Sequence, residues 1–141
     1  SFIYAKLGRL AEARALAEEA LEYARAHPHF AGPLHMITPV ARELGIAKEL
    51  RDVLAAAPER AFNQAARAGA AGDHSRAADL YAAMGSPSLE ALHRLAAAES
   101  LLTAGRREEG EAELERALAF YRSVGATAHI ERGETLLTAS A

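Results

Sequence analysis

The segment from Leu89 to Gly125 constrains this chain more than any other, because it reads as two antiparallel helices around a tight turn at Ala104-Gly105-Arg106. In the first helix Leu92, Leu95, Ala96, Leu101 and Leu102 form an apolar stripe. In the second, Leu114, Ala117, Leu118 and Tyr121 recur at i, i+3, i+4 and i+7, one face of a helix. Gly105 and Gly125 stand where helix C-termini call for a left-handed residue. A hairpin of this kind cannot bury its apolar faces alone and needs neighbours of the same type.

The remaining sequence can supply them. Among 141 residues Ala occurs 36 times and Leu 18 times, against three Val and four Ile. Ala and Leu favour helices and β-branched residues favour strands, so an all-α fold is expected, packed through small side chains. A net charge of −3 offers no basic face for nucleic acid. Without Cys there is no disulfide framework, thiolate metal site or cysteine nucleophile. The apolar runs fall far short of the roughly 20 residues that span a bilayer, and no signal peptide is visible. A cytoplasmic protein without a membrane or nucleic-acid partner is expected. The opening Ser-Phe-Ile-Tyr-Ala-Lys, without Met and already helical in pattern, suggests a piece of a longer protein.

Taken in order, residues 1–9 read as the end of one helix and a turn at Leu7-Gly8-Arg9. A long helix follows, with Leu10, Ala13, Ala17, Ala20, Leu21 and Ala24 on its buried face, stopped by Pro28. From His29 to Gly45 the pattern weakens: Gly32-Pro33 suits a helix start, and Pro39 predicts a kink or short break. Helices are expected over 46–57, burying Leu50, Val53, Leu54 and Ala57, and over 59–71, carrying Phe62, Ala65 and Ala66. The next, over 74–84, buries Ala77, Leu80, Tyr81 and Met84, with Asp73 or Ser75 as its cap. Ser88 is the expected cap of the central hairpin. A last helix over 126–139 carries a narrow stripe of Ala126, Ile130, Gly133 and Leu137.

Self-similarity appears when Gly8, Gly45, Gly72 and Gly105 are aligned. Five residues on stand Ala13, Leu50, Ala77 and Gly110; twelve on stand Ala20, Ala57, Met84 and Ala117. Those two positions are seven apart, on one helix face, where a small residue lets a neighbouring helix approach. Prolines recur after helices at Pro28, Pro58 and Pro87. The glycine spacings of 37, 27 and 33 average near the tetratricopeptide period of about 34. On these residues the whole chain resembles the tetratricopeptide repeat family, although the family's early aromatic is largely absent and Gly110 replaces a helical Ala. The resemblance implies a right-handed α-solenoid of antiparallel hairpins over residues 1–141: about four hairpins, the first truncated, and a capping helix at 126–139.

A narrower resemblance rests on three runs. They are Arg76-Ala-Ala-Asp-Leu-Tyr-Ala-Ala-Met-Gly-Ser-Pro87, Ala97-Ala-Glu-Ser-Leu-Leu-Thr-Ala-Gly-Arg106 and Ala117-Leu-Ala-Phe-Tyr-Arg-Ser-Val-Gly-Ala-Thr127. Together they are similar to the C-terminal tail of bacterial regulators that join a class III nucleotide cyclase or a DNA-binding domain to an AAA-type ATPase. The likeness covers roughly residues 60–141 and brings no catalytic residue with it.

Chemistry finds little purchase in the residues themselves. His27, His29 and His35 lie near one another, but Pro28 breaks any helical spacing and no His-Glu-x-x-His occurs, so no metal site is expected. His74, His93 and His129 read as lone residues on charged helix faces. Glu108, Glu109, Glu111, Glu113 and Glu115 alternate with Arg106, Arg107 and Arg116, the pattern of a solvated face. No nucleophile elbow or phosphate cradle is present. The expectation is a protein-interaction or scaffolding module without enzymatic activity or cofactor, serving as the regulatory part of a larger signalling protein. Its concave binding face would display Lys6, His35, Arg42, Phe62, Glu99 and Thr103. Two rivals stand beside it: a small-molecule sensor controlling an attached cyclase or ATPase, and a tail that mediates self-association.

Overall fold

A computed structural model describes residues 9–27 and 32–140, and every element among them is helical. The α-helices are α1 (Leu10–Ala26), α2 (Ala47–Ala55), α3 (Ala61–Ala70), α4 (His74–Ala83), α5 (Pro87–Thr103), α6 (Arg107–Ser123) and α7 (Thr127–Ser140). Two compact units divide the chain, Ser1–Ala77 and Ala78–Ala141. The expected turn at Leu7-Gly8-Arg9 falls largely outside the described residues.

In the first unit, α1 buries Ala13, Ala17, Leu21 and Ala24. Leu10, expected on this stripe, is 46 % exposed at the first helical position, and Ala20 is half-buried. The predicted break at Pro39 is present. Instead of one helix there are two short 3-10 turns, Gly32–Met36 and Thr38–Val40. Pro39 has no N–H to offer a longer helix, and the hydroxyl of Thr38 donates to the carbonyl of His35 at 3.0 Å across the interruption. Leu34, Ile37, Val40, Leu44 and Ile46 from this stretch are nonetheless buried. Arg67 on α3 then closes the C-terminal end of α2, where carbonyls lack helical partners: its Nε donates to the carbonyl of Leu54 at 2.9 Å and its Nη2 to that of Ala57 at 2.5 Å.

Helices α3 to α6 and the stretch before α2 end alike, whereas α1 and α2 end at residues of negative φ. Gly45, Gly72, Gly85, Gly105 and Gly125 all have positive φ, a conformation that costs a residue without Cβ least. At each, the next residue's N–H reaches back to a carbonyl five residues earlier, as in Asp73 to Ala68, Ser86 to Tyr81, Arg106 to Leu101 and Ala126 to Tyr121. This is the Schellman closure. Asp73 also accepts from the N–H of Arg76 at 3.2 Å, as expected of a cap. Ser88 does not cap α5: Ser86 holds that position and Pro87 begins the helix, since its ring presets the first turn.

In the second unit α5 is the axis. From Ala91 to Ala98 every residue is buried. Helix α6 lays Leu114, Ala117, Leu118 and Tyr121 inward, the stripe predicted from spacing. Gly110 explains itself here: a Cβ built on it would stand 2.8 Å from Cγ of Leu102 and 3.2 Å from the Leu102 backbone nitrogen. Gly133 likewise places α7 against Leu118, whose Cδ2 would lie 2.5 Å from an added Cβ.

An exposed helical Gly→Ala change stabilises by about 1 kcal/mol, whereas overpacking a close contact costs about 1–3 kcal/mol. Gly110→Ala should therefore lower stability by about 1 kcal/mol, read as a lower urea midpoint with an unchanged slope. A raised midpoint would mean that α5 and α6 do not meet at this residue.

Candidate functional site

The most concentrated chemistry in the second unit surrounds Arg94, a cation only 2 % exposed. An isolated buried charge is prohibitive, and three carboxylates answer it from three helices. Arg94 Nη2 donates to Asp79 of α4 at 2.7 Å, and Nη1 donates to both oxygens of Glu113 on α6 at 3.3 and 3.1 Å. Nε and Nη2 donate to Oε1 of Glu90, one turn back on α5, at 3.3 and 3.2 Å. Burial alone would push the guanidinium down, but the bonds to Asp79 and Glu90 and the charge of Glu113 outweigh it and hold the pKa up. Arg116 on α6 adds a longer bond to the same Oε1 at 3.4 Å.

Beside this cluster lies a cleft of about 260 Å³ whose walls include Pro87, Glu90, Ala91, Arg94, Arg116 and Phe120. Neither Arg94 nor the cleft was singled out by sequence reasoning. The signal was available: an arginine inside the run Ala91-Leu-His-Arg-Leu-Ala-Ala-Ala98, four residues after Glu90.

The residues expected on a binding face are distributed as follows. Lys6 lies outside the described residues. His35 and Phe62 come together in the first unit, with ring centroids 5.6 Å apart, and Phe62 stays 46 % exposed. Arg42, in the turn that follows the second 3-10 helix, is exposed. On α5, the Thr103 hydroxyl donates to the carbonyl of Glu99 at 2.8 Å, and the Glu99 carboxylate is engaged in an ion pair with Arg132 of α7.

The histidines differ from expectation. His93 is fully buried and stacked on Tyr81, centroids 5.1 Å apart, because α5 is buried on every side between Ala91 and Ala98. His129 is half-buried and stacks on Tyr121 at 4.4 Å. Burial pushes the imidazoles of His35, His74 and His129 below the ordinary histidine value, with the charge of Asp73 opposing it in part at His74. The acidic run on α6 is a solvated face in part only: Arg106–Glu109 and Arg107–Glu111 are exposed pairs, whereas Glu113 turns inward to Arg94. Among the described residues no three His, Cys, Asp or Glu side chains stand together as a metal site, and no helix is long and apolar enough to cross a membrane. No family model matches the chain, and no curated protein or solved structure matches it.

Removing one partner of a buried ion pair costs about 3–5 kcal/mol, so Arg94→Met should destabilise by about that amount in chemical denaturation. Arg94→Lys should recover only part of it, because an ammonium cannot fork to three carboxylates. Equal stability of the wild type and the Met variant would show that the cluster is dispensable.

Stability should also fall on acidification. Native imidazoles held below the unfolded value bind fewer protons than the unfolded chain does, so stability is lost as pH drops through about 6.5 and until the folded pKa is passed. The urea midpoint should be lower at about pH 5.5 than at about 7.5, and His129→Gln should flatten the slope. A midpoint that rises on acidification would contradict this assignment.

Proposed function

We propose that this chain is a tetratricopeptide-like helical repeat that works as a protein-interaction module, the C-terminal regulatory part of a larger bacterial signalling protein in the cytoplasm. In this reading its hairpins stack as a right-handed α-solenoid and catalyse no reaction of their own. The observation that carries the proposal is a repeated device: glycines of positive φ close four successive helices, α3 to α6, in the same way, and Gly45 does so before α2. Small residues line the helix contacts, with Ala77, Ala117 and Ala13 fully buried. Semi-rigid arrays of this type present side chains at little ordering cost on binding.

Exposed apolar and charged side chains of the first unit support a protein partner. Phe62 is 46 % exposed and Met36 51 %, and the Arg42 side chain is exposed. The rival sensor reading would find in the cleft beside Arg94 a volume of about 260 Å³, below the roughly 300–1,000 Å³ usual for small-molecule sites.

A photo-crosslinking residue at position 42 or 62, in the protein at its native level in cells, should trap one protein segment, the same from both positions. Arg42→Glu combined with Phe62→Ala should lower the yield from a probe elsewhere on that face at least about tenfold, since hot-spot truncations cost about 1–2 kcal/mol each. Yields no higher than from a probe at Glu108, on the exposed face of α6, would overturn the proposal, as would nucleotide turnover by the purified chain.

A further inference from the structure

We infer that α7 is a detachable strap: it lifts from α6 and melts while α5 and α6 stay folded, baring the apolar face of Leu114, Leu118 and Tyr121. This goes beyond the protein-binding reading and does not rest on it. The first ground is an imbalance of burial. Helix α6 commits Leu114, Ala117, Leu118 and Tyr121 to the interior, and α5 is buried throughout 91–98. Among the 14 residues of α7 only Gly133 is fully buried. Ile130 and Leu136 are half-buried, and Leu137 is 40 % exposed. The docking of α7 is therefore driven by the face it covers more than by apolar surface of its own.

The second ground is the quality of the polar fastenings. Arg122 of α6 and Glu134 of α7 pair at 3.2 Å with both side chains more than half exposed, a contact that water and salt weaken. The Ser140 hydroxyl has one hydrogen, which goes to the carbonyl of Leu137 at 2.9 Å, so its 3.4 Å approach to Glu111 adds no second bond. The ion pair of Arg132 with Glu99 is better sheltered, at 21 % and 31 % exposure. Yet Nε of the same guanidinium is buried without a hydrogen-bond partner among the described residues. The hydroxyl of Tyr121, whose ring lies against His129 of α7, is in the same state. Buried polar groups left unpaired oppose the closed state, and lifting α7 returns Nε of Arg132 to water.

The third ground is the helix itself. Gly133 stands at its centre, and Thr127, Ile130, Thr135 and Thr138 are β-branched, all weaker helix formers than alanine or leucine. The hydroxyls of Thr135 and Thr138 donate to the carbonyls of Glu131 and Glu134 at 2.8 and 3.0 Å, a back-bond that slightly destabilises a helix. A segment this short and this composed does not stay helical undocked. It can also leave cleanly. The bond from the Ala126 N–H to the carbonyl of Tyr121 closes α6 before α7 begins at Thr127, so melting α7 leaves that closure intact.

The test is amide hydrogen exchange of the 141-residue chain, followed residue by residue at neutral pH in increasing, sub-denaturing urea. Relative to unstructured rates, the amides of Ile130, Gly133 and Leu136 should exchange at least about a hundredfold faster than those of Leu95 and Ala96, with under about half their urea dependence. Ala91→Gly, on the cleft side of α5, should speed the α5 amides about fivefold and leave those of α7 unchanged. Gly133→Asp sets a carboxylate against Leu118 and Leu114. It should give residues 127–140 random-coil shifts while α5 and α6 keep their native ones. The inference is overturned by equal protection and equal urea dependence in α5 and α7, or by α7 amides that speed up with those of α5 in Ala91→Gly. Gly133→Asp overturns it as well if α5 and α6 unfold together with α7, or if α7 stays docked.

Discussion

A guanidinium with almost no contact with water governs the second unit. Arg94 can remain charged there only if carboxylates reach it, and they come from α4, α5 and α6. Each bond ties the rotation of one helix about its axis to the others. Replacing the arginine and its carboxylates together by well-packed apolar residues could give equal stability in such a place. It would not give equal register, because the contact surfaces are dominated by alanine, with Ala91, Ala96, Ala97 and Ala98 on α5 and Ala117 on α6 all buried. Alanine faces slide past one another with little change in fit. The arginine fork does not.

Alanine and glycine set how closely the helices approach. Helix interiors tolerate glycine at a cost of about 0.5–1 kcal/mol relative to alanine, and two interior glycines are present where that cost is offset. Gly110 lets α6 meet Leu102, and Gly133 lets α7 meet Leu118 and Leu114. The glycines at the helix ends act differently, through positive φ rather than space: an added Cβ at Gly72, Gly85, Gly105 or Gly125 would meet nothing within 4 Å. Two separate physical demands thus place one residue type. Only the second recurs regularly enough to read as a repeat.

That difference explains what the sequence disclosed. The helices and their turns were legible because periodicity and C-terminal glycines are local signals; the stripe Leu114, Ala117, Leu118 and Tyr121 and the turn at Gly105 are as expected. The break at Pro39 was legible for the same reason. His93 was misjudged because its neighbours along the chain include Glu90 and Arg94, which suggest a charged face, whereas both charges turn toward each other and toward α6. Glu113 was misjudged in the opposite direction, as one of a row of solvated carboxylates. Pairings between helices decide both cases, and no period in a single helix encodes them. The candidate binding residues were chosen from register alone, so register could place Glu99 on an accessible helix turn but could not reveal its ion pair with Arg132.

The two units satisfy their arginines differently. In the first, Arg67 spends its donors on carbonyls at the end of α2 and on Glu59, a closed arrangement that needs nothing from outside. In the second, the cluster around Arg94 retains a spare acceptor oxygen on Glu90 and a loosely held Arg116. Asp79, whose side chain is 68 % exposed, keeps its own charge in solvent while reaching Arg94, so the buried cation is answered without burying three anions. Glu90 at 24 % and Glu113 at 15 % exposure are the carboxylates that share its burial. Removing the arginine would leave Glu90 with only the long bond from Arg116, and Glu113 without the cation it grips with both oxygens.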